Sequence, residues 1–334
     1  MAAASFAILA FLILPCAIFG LYTDNTARNK MMPMAAAAYS NSPNVCIGSV
    51  FSNATLYRQL ILNCDAFKND HCSGFTAVSH SDKAIIMSFR GTQGFIQLVT
   101  ESAEALFANK TAFITGGQVS EYFFNGFNDV WTKGMKDDIS TLKNKYPDYD
   151  LWVTGHSLGG AMASLAAATI VKSGIIPASK VYLYTFGQPR TGDKTFAQAH
   201  DALVSFFAHF PSKTHLQTGD EQLLQGMTQY RVTHHRDLVA HLPSEGYEGY
   251  WHHEAEVWYK KGMNVGDSYV ECDNNDESSD CSDSELFTLS IDDHLHYFER
   301  DVSGYGEDGC IGSYKIIKDM QIAAIENAKK IVVV

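Results

Sequence analysis

Short apolar runs alternate with longer segments of helical periodicity through the middle of the chain. The runs at 84–89 (AIIMSF), 151–154 (LWVT) and 181–186 (VYLYTF) have the length and composition of buried strands, and the second one stops at a glycine. Between the first two runs, apolar residues recur at helical spacing at Phe127, Val130, Trp131, Met135, Ile139 and Leu142. Segment 158–171 is rich in alanine and leucine and contains no proline, which predicts a further helix. This alternation predicts βαβ units, and hence an α/β fold with a mostly parallel central sheet flanked by helices.

The remaining segments fit a single domain. The low-complexity patch at 31–40 (MMPMAAAAYS) is predicted to lead into a first helix, and segment 316–330 is predicted to be helical. The acidic stretch at 271–285 has the composition of a loop. No segment rich in proline, glycine and serine divides the chain, so residues 21–334 are predicted to form one domain.

An apolar run at 5–19 has the length of the hydrophobic region of a signal peptide. It is short for a helix that crosses about 30 Å of hydrocarbon. Small residues at Ala17 and Gly20 precede a polar stretch, so residues 1–20 are predicted to be a signal peptide that is cleaved near Gly20. No lysine or arginine precedes the run, which leaves an uncleaved signal anchor as the alternative. The chain is therefore expected to be secreted, with no transmembrane segment after removal of the signal.

Composition and charge restrict the class of function. The chain has 334 residues, of which 46% are hydrophobic and 12% aromatic, enough for a substantial core. Lysine and arginine number 25 against 37 aspartates and glutamates, a formal net charge of −12, and the basic residues form no block. Nucleic-acid binding through phosphate neutralisation is therefore not expected, and an anionic membrane surface would repel the chain.

The cysteines are typical of an exported protein. Of the seven, Cys16 lies in the N-terminal apolar run, and the even number that remains is expected to pair in an oxidising compartment, with about fifteen connectivities open. A zinc site is the competing interpretation, which the lack of any CxxC pair disfavours. Two sequons, at Asn53 and Asn109, are predicted to carry glycans on surface loops.

The strongest chemical signal is the sequence G-x-S-x-G at 155–159, with Ser157 at its centre. The motif alone is weak, but here it follows a predicted strand and opens a predicted helix, which is where a nucleophile elbow must lie. In such an elbow the glycines avoid clashes with neighbouring backbone, and the helix N-terminus supplies free N–H groups beside the serine. A simple helix-capping serine is the alternative. The strand–turn–helix context makes Ser157 the candidate nucleophile.

A serine hydroxyl is a poor nucleophile at neutral pH and needs a base, which in α/β hydrolases follows it in the chain. The 13 histidines are too many for composition to select one. Segments 187–190 and 236–239 each follow a β-type run, and His294 and His296 lie in the sequence DDHLHYF. The residues alone leave the choice of base open.

Five short segments occur in a fixed order along the chain. They are 88–92 (SFRGT), 154–161 (TGHSLGGA), 185–190 (TFGQPR), 236–239 (RDLV) with Leu242 and Pro243, and 293–295 (DHL). In this order they resemble the motifs of the class 3 lipases, the fungal-type triacylglycerol lipases, over about residues 80–300. The resemblance implies an α/β-hydrolase fold and a secreted ester hydrolase.

The resemblance also implies catalytic roles. It makes Ser157 the nucleophile, Asp237 the carboxylate that orients the base, and His294 the general base and later acid. His296 is the rival base, but the family pattern favours the histidine that directly follows Asp293. His156 is predicted to point away from the nucleophile and to serve packing. Three histidines that flank the aspartate are predicted to be loop or surface residues: His234, His235 and His241.

An oxyanion hole and a lid are implied by the same resemblance. The oxyanion of the tetrahedral intermediate would receive the N–H of Leu158 and that of Thr92, with the Thr92 hydroxyl as a further donor. In the family a short amphipathic lid helix follows this threonine, which corresponds to segment 93–107. The candidate lid residues are Phe95, Ile96, Leu98 and Val99, with Leu106 on the same face. A fixed core helix is the alternative to a mobile lid.

Three disulfides are implied by the resemblance: Cys46–Cys310, Cys64–Cys72 and Cys272–Cys281. The chain departs from the family pattern at 123–127, which lacks a histidine often present before that glycine, and at 202–229, which is longer and less regular. The acidic cluster at 273–277 fits no EF-hand spacing and is predicted to be solvated rather than to bind calcium.

The resulting hypothesis is ester hydrolysis through an acyl-enzyme on Ser157, with acylglycerols as the expected substrate class. Phospholipids or soluble esters are the alternative substrates, and a catalytically inactive lipid-binding protein of the same fold is the alternative function. The expected partner is a lipid or ester substrate at an interface. No metal, organic cofactor or protein partner is expected.

Overall fold

The computed structural model describes residues 22–63, 71–91, 106–204, 226–272, 277–285 and 288–311. The predicted signal peptide, Cys64, Thr92, the four candidate lid residues and the predicted C-terminal helix lie outside these ranges, so they stay predictions. Within these ranges no helix is both long and apolar enough to span a bilayer.

Strands of two sheets and a short hairpin make up the β structure of the described residues. The strands are β1 (Ala54–Asn63), β2 (His71–Ser79), β3 (Ala84–Phe89), β4 (Lys110–Ala112), β5 (Gln118–Ser120), β6 (Asp150–His156), β7 (Val181–Phe186), β8 (Gly192–Asp193), β9 (Thr228–His234), β10 (Tyr250–Trp251), β11 (Glu256–Tyr259), β12 (Val270–Cys272), β13 (His296–Tyr297) and β14 (Arg300–Asp301).

The large sheet has eight strands in the order β1-β2-β3-β6-β7-β9-β11-β12. Its central strands, from β3 to β11, run parallel to one another, and the strands at both edges pair antiparallel. A smaller sheet of four strands has the order β10-β8-β5-β4. Because the central strands are parallel, their carboxyl ends lie along one edge, where the loops that follow them meet.

The helices connect and cover these strands. They are α1 (Asp24–Thr26), a π-helical segment (Ala27–Met31), α2 (Met32–Ala37), α3 (Pro43–Val50), α4 (Glu121–Val130), a second π-helical segment (Trp131–Met135), α5 (Lys136–Lys145), α6 (Leu158–Lys172), α7 (Lys194–Asp201), α8 (Ile291–Leu295) and α9 (Val302–Glu307). Short 3-10 turns lie at Ala178–Lys180, Val239–His241, Tyr247–Gly249 and Ser282–Ser284.

Two apolar cores lie on opposite faces of the large sheet. Alternation along β3 sends Ile85 and Met87 into the core beneath α4 and α6, and sends Ile86 into the core beneath α2 and α9. The α2 helix approaches α9 closely, because any side chain at Gly306 would place its first carbon 1.8 Å from the carbonyl oxygen of Ala36. The sheet is thus buried on both faces, as the near-continuous apolar runs of the central strands predicted.

Several predicted elements coincide with observed ones. Strands β3 and β7 have the predicted bounds, and α6 exceeds its predicted range by one residue. The strand predicted at 151–154 is longer than expected, since β6 continues through Gly155 to His156. The prediction of a mostly parallel sheet flanked by helices is confirmed.

Two predictions about local structure were incomplete. The patch at 31–40 does precede a helix, α3, but it is itself largely helical and buried beneath the sheet. The low-complexity alanines pack there because small side chains let a helix lie close to a sheet. The stretch at 271–285 is also not a plain loop, because it begins with the end of β12 and contains the turn Ser282–Ser284.

Disulfides join distant and local parts of the chain. Cys46 in α3 is bonded to Cys310 after α9, and Cys272 at the end of β12 is bonded to Cys281, as the resemblance implied. Cys72 is also disulfide-bonded. Its predicted partner, Cys64, lies outside the described residues, so that pairing stays a prediction.

Candidate active site

Ser157 occupies a sharp turn between β6 and α6. Its backbone has φ 61° and ψ −131°, a combination that few non-glycine residues adopt. The turn is crowded, because a first side-chain carbon at Gly155 would lie 2.1 Å from the carbonyl oxygen of Gly159, and one at Gly159 would lie 2.3 Å from that of Phe89. The N–H of Ser157 donates to the carbonyl of Phe186 in β7 at 2.9 Å, which anchors the turn to the sheet. These contacts explain why the motif needs both glycines.

Asp237 and His294 reach the same edge of the sheet from two later loops. Asp237 lies three residues after the end of β9, and His294 lies in the short helix α8. Ser290 connects the two segments, because its backbone pairs with that of the aspartate loop and its hydroxyl accepts the N–H of Asp293 at 3.0 Å, capping α8. The backbone of Ser290 therefore holds the loop and the helix together independently of the Asp237 and His294 side chains.

The three side chains form a continuous chain of hydrogen bonds. His294 Nε2 lies 2.9 Å from Ser157 Oγ, and His294 Nδ1 lies 2.9 Å and 3.0 Å from the two oxygens of Asp237. All three residues are buried. Because an ionised carboxylate only accepts hydrogen bonds, Nδ1 carries the proton and Nε2 is free to accept the serine proton.

Asp237 is held as a carboxylate by its partners. The Tyr297 hydroxyl donates to its Oδ2 at 2.6 Å, and the N–H groups of Val239 and Ala240 donate to its Oδ1 at 2.8 and 3.3 Å. Burial alone would raise the pKa of Asp237, but His294 and the Tyr297 hydroxyl outweigh it and lower that pKa to about 2. The carboxylate therefore stays charged at any pH at which the protein would act.

Gly187 leaves the space in which the histidine and aspartate meet. Its φ is +58°, and a first side-chain carbon here would lie 2.6 Å from Asp237 Oδ2 and 2.8 Å from His294 Nδ1. Sequence reasoning identified the segment 187–190 but assigned no function to its glycine. The structure gives this residue both a conformational and a steric reason to be glycine.

Two tyrosines of the site were missed from the sequence. Tyr297 lies three residues after His294 in the sequence DDHLHYF, a spacing that could have suggested a contact. Tyr39 lies just after α2, and its hydroxyl is 2.8 Å from Nδ1 of His156. No local pattern links Tyr39 to the motif, because 117 residues separate the two partners.

His156, which was predicted to point away from the nucleophile and to serve packing, packs directly against the candidate base. Its ring stacks on that of His294 with 4.6 Å between centroids, and its Nε2 lies 2.8 Å from the carbonyl oxygen of His294. The prediction did not foresee that this packing partner is the histidine that contacts the Ser157 hydroxyl.

The remaining residues that were singled out in the sequence differ in burial and in their contacts. Leu158 is buried at the first position of α6, where the backbone N–H groups of a helix lack intrahelical acceptors. Thr92 and the candidate lid residues lie outside the described ranges, while Leu106, next to them, is buried. His296 Nδ1 contacts the carbonyl of Asp292 at 2.8 Å. The sequon residues Asn53 and Asn109 are both exposed.

The flanking histidines are only partly surface residues. His235 is partly exposed and contacts Asp293 at 3.1 Å. His234 lies at the end of β9, with its Nδ1 near the carbonyl of His296 at 2.6 Å. His241 is largely buried, and its Nδ1 lies 2.8 Å from the carbonyl of Asp237, so the prediction of a loop or surface position was incomplete for this residue.

The prediction that the acidic cluster 273–277 is solvated was wrong for Glu277. Its carboxylate forms a two-fold contact with the guanidinium of Arg190 at 2.8 and 2.6 Å, and the side chains are only 2% and 3% exposed for Arg190 and Glu277. Residues 273–276 lie outside the described ranges. The buried ion pair connects the loop after β7 to the loop that the Cys272–Cys281 disulfide closes.

A cluster of potential metal ligands lies at the end of α7 and in the segment after β10. His200, Asp201 and His253 bring one ligand atom each within 4.8 Å of one another. The two imidazoles stack 3.9 Å apart and within 11° of parallel, so their in-plane lone pairs do not converge on one point. His253 Nδ1 lies 2.7 Å from the carbonyl of Glu254, and its Nε2 accepts from Gln188 at 3.0 Å. Both nitrogens of His253 thus have protein partners, and the donor set does not fit a metal ion.

The fold and this geometry together define a class of protein. A buried serine on a strand-to-helix turn, at the carboxyl edge of a parallel sheet and followed in the chain by an aspartate and then a histidine, defines the α/β hydrolases. The remaining question is which family of this class the chain belongs to.

Comparisons with known proteins answer that question. Residues 86–247 match the family described as "Lipase (class 3)". The chain is 33% identical over 320 residues to Lipase ZK262.3 of Caenorhabditis elegans, a match that covers 86% of this chain and 83% of that protein. It therefore belongs to the class 3 lipase family, and it is a carboxylic ester hydrolase of the lipase type.

Fungal proteins are also similar to the chain. It is 33% identical over 191 residues to secreted mono- and diacylglycerol lipase 1 of Fusarium solani, covering 56% of this chain and 47% of that protein. Thus the chain spans about half the length of this relative. The crystal structure of a lipase from Rhizopus microsporus var. chinensis superposes with a TM-score of 0.68 at 27% identity, over 85% of this chain and 91% of that one. The predicted α/β-hydrolase fold is confirmed.

Proposed function

We propose that the chain is a secreted acylglycerol lipase in which Ser157 is the nucleophile, His294 the general base and Asp237 the orienting acid. One observation carries the proposal: the buried chain of hydrogen bonds from the Ser157 hydroxyl through the His294 imidazole to the Asp237 carboxylate. A catalytically inactive binding protein would have no need to keep three polar groups aligned and buried, since their burial is unfavourable without a function. Similarity to a secreted mono- and diacylglycerol lipase supports the substrate class.

In the acylation step, Ser157 Oγ attacks the carbonyl carbon of the ester while its proton passes to His294 Nε2, 2.9 Å away. The imidazolium that forms is stabilised by the adjacent Asp237 carboxylate, which does not itself take the proton. When the tetrahedral intermediate collapses, His294 returns the proton to the leaving alcohol. The products of this step are an acyl-enzyme and a free alcohol, for example a diacylglycerol.

In the deacylation step, a water molecule takes the place of the alcohol. His294 Nε2 accepts a proton from this water as its oxygen attacks the acyl carbon, and the second tetrahedral intermediate releases the fatty acid. The proton then returns to Ser157 Oγ. The same imidazole therefore serves as base and acid in both halves of the reaction.

Both intermediates carry a negative oxygen that needs hydrogen-bond donors. The N–H of Leu158 at the start of α6 is the proposed first donor, and the N–H and hydroxyl of Thr92 are the proposed further donors. One such donor contributes about 10²- to 10³-fold in rate. The donor at Leu158 is preorganised because the helix that begins there also fixes its direction.

Secretion is part of the proposal. Two disulfides between described residues and a third at Cys72 suit an oxidising compartment, and the predicted signal peptide at 1–20 would deliver the chain there. Asn53 and Asn109 are exposed, as glycan acceptors must be. The candidate lid at 93–107 would contact the lipid interface.

The proposal is tested by hydrolysis of an emulsified triacylglycerol and of soluble p-nitrophenyl butyrate by the full chain and its Ser157→Ala variant. We expect wild type to hydrolyse both, and Ser157→Ala to lose at least about 10³-fold on each. Ser173→Ala is the matched control, because this serine is exposed at the far end of α6. Hydrolysis of the soluble ester alone would indicate an esterase, and hydrolysis of phosphatidylcholine vesicles alone a phospholipase. A folded wild type that hydrolyses none of these would favour the binding protein.

A further inference from the structure

The imidazole of His156 packs against the imidazole of His294. The two rings overlap with 4.6 Å between centroids and 28° between planes, and Tyr297 meets the edge of His156 at 5.7 Å. His156 is 3% exposed, so water does not compete for its nitrogens. The residue that precedes the nucleophile therefore contacts the base directly.

The hydrogen-bond partners of His156 determine which of its ring nitrogens carries the proton. Its Nε2 lies 2.8 Å from the carbonyl oxygen of His294, which can only accept, so Nε2 carries the proton. In the neutral ring Nδ1 is then unprotonated. It accepts a hydrogen bond from the Tyr39 hydroxyl, 2.8 Å away.

The Tyr39 hydroxyl has a second partner at the turn that leads to Thr92. Its oxygen accepts the backbone N–H of Gly91. The approach is so close that a side-chain carbon at Gly91 would lie 2.3 Å from this hydroxyl oxygen and 2.9 Å from the carbonyl oxygen of His156. A chain of hydrogen bonds therefore runs from the Gly91 N–H through Tyr39 and His156 to the backbone of His294.

We propose that Tyr39 and His156 are positioning residues that fix the backbone of His294 and the turn at Gly91 with respect to each other. This inference rests on the function proposed above. It extends the catalytic apparatus to the N-terminal helical region, since Tyr39 lies outside the segment 86–247 that matches the family.

The arrangement requires a neutral His156. Burial, together with the neighbouring charge of His294, lowers the pKa of His156 to about 3. The titratable groups that face the ring are Tyr39, His294, Tyr297 and Asp237. Both tyrosines stay protonated, because burial raises their pKa values. As His294 gains a proton during catalysis, it gains it beside an uncharged ring, so no charge repulsion opposes the step.

The test compares kcat and KM on p-nitrophenyl butyrate for four single variants and one double variant of the full chain. Tyr39→Phe removes the hydroxyl and keeps the ring, and His156→Phe removes both hydrogen bonds and keeps the stacked ring. His156→Gln retains an amide donor near the position of Nε2. Tyr22→Phe is the matched control, because its buried hydroxyl pairs with the hydroxyl of Tyr259, away from Ser157 and His294.

We expect kcat to fall roughly 10- to 100-fold in His156→Phe and about tenfold in Tyr39→Phe, with KM changed less than about twofold, because misalignment affects the reacting geometry rather than binding. His156→Gln should recover most of the activity. The double variant of Tyr39→Phe and His156→Phe should lose little more than His156→Phe alone, because both substitutions break one chain of hydrogen bonds. Tyr22→Phe should retain the wild-type kcat.

Three results would overturn the inference. They are a wild-type kcat in folded Tyr39→Phe, losses that appear in KM alone, or additive losses in the double variant. Circular dichroism and thermal denaturation establish folding, and Tyr39→Phe keeps the test decisive if His156→Phe does not fold. Activity of wild type and its absence in Ser157→Ala are measured alongside. A failure of those two controls counts against the proposed function, whereas normal controls with an unaffected Tyr39→Phe count against this inference alone.

Discussion

Substitution of Tyr297 by phenylalanine isolates the bond that this hydroxyl donates to Asp237. The donor and acceptor oxygens lie 2.6 Å apart, and both residues are fully buried. A hydrogen bond to a buried charged group contributes about 1.5–3 kcal/mol. His294 and this hydroxyl together outweigh burial and lower the pKa of Asp237 from 3.8 to about 2, and the whole difference corresponds to about 2 kcal/mol. We therefore expect Tyr297→Phe to reduce the free energy of unfolding by about 2 kcal/mol at neutral pH.

The sign of the pH dependence follows from the direction of that shift. A carboxyl with a lowered pKa stabilises the folded state above its unfolded pKa, and this stabilisation is lost as pH falls through the folded pKa. The difference between wild type and Tyr297→Phe should therefore be constant from pH 7 down to about pH 4 and should shrink as pH falls from 4 towards 2. Because Asp237 keeps its bonds to His294 and to two backbone N–H groups, kcat should fall only about three- to tenfold.

The assay is thermal denaturation of both proteins between pH 7 and pH 3, with kcat on a soluble ester measured at pH 7. Tyr184→Phe is the control, a buried tyrosine of β7 whose ring packs against those of Tyr22 and Tyr230. Equal melting temperatures for wild type and Tyr297→Phe at pH 7 would refute the reasoning. So would a larger difference at pH 3 than at pH 7.

Three further predictions use other features of the described residues. Gly187→Ala should lower kcat at least about 100-fold on a soluble ester, because its added carbon would lie 2.6 Å from Asp237 Oδ2; a variant with normal kcat would show that the loop moves freely. Glu277→Gln should reduce the free energy of unfolding by about 3–5 kcal/mol and the melting temperature by roughly 5–10 °C, because it leaves Arg190 charged and buried. The control is Lys260→Met, at the exposed pair with Glu285, which should change the melting temperature by less than about 2 °C. Burial lowers the pKa of His200 from 6.5 to about 4, and that of His253 well below its usual value, so the unfolded state binds more protons below pH 6.5. Stability should fall by about 1.4 kcal/mol per pH unit for each histidine between pH 6.5 and 4, and a flatter melting curve against pH in His200→Gln checks it.

The sequence predicted the central strands well because each is buried on both faces. Strands β3 and β7 are continuous apolar runs with polar neighbours, so their bounds were visible in the sequence. The end of β6 was not visible, because Gly155 and His156 belong to the elbow rather than to the apolar pattern. The edge strand β1 was not predicted, since it is partly exposed and has no regular alternation of apolar residues. Its neighbour β2 was not predicted either, because its buried residues include serine, glycine and threonine and form no apolar run.

The residues of the candidate site also differ in how far the local sequence reveals them. Ser157 could be selected from its local context, because an elbow is a local structure. Asp237 and His294 needed the resemblance to a family, since their contact with the serine is a property of tertiary structure. Tyr39 and Glu277 were missed because their partners, His156 and Arg190, lie 117 and 87 residues away. Such contacts leave no periodicity and no motif in the sequence.

The order in which the site residues occur along the chain has a consequence for biosynthesis. The elbow serine is made 137 residues before the histidine with which it pairs, and the Cys46–Cys310 bond closes over a separation of 264 residues. A growing chain on the ribosome therefore carries a serine without a base, which is inert towards esters. Hydrolytic capacity appears only when the last part of the sheet edge has packed. If the chain is secreted as proposed, the timing of its folding would keep it inactive while it crosses the membrane.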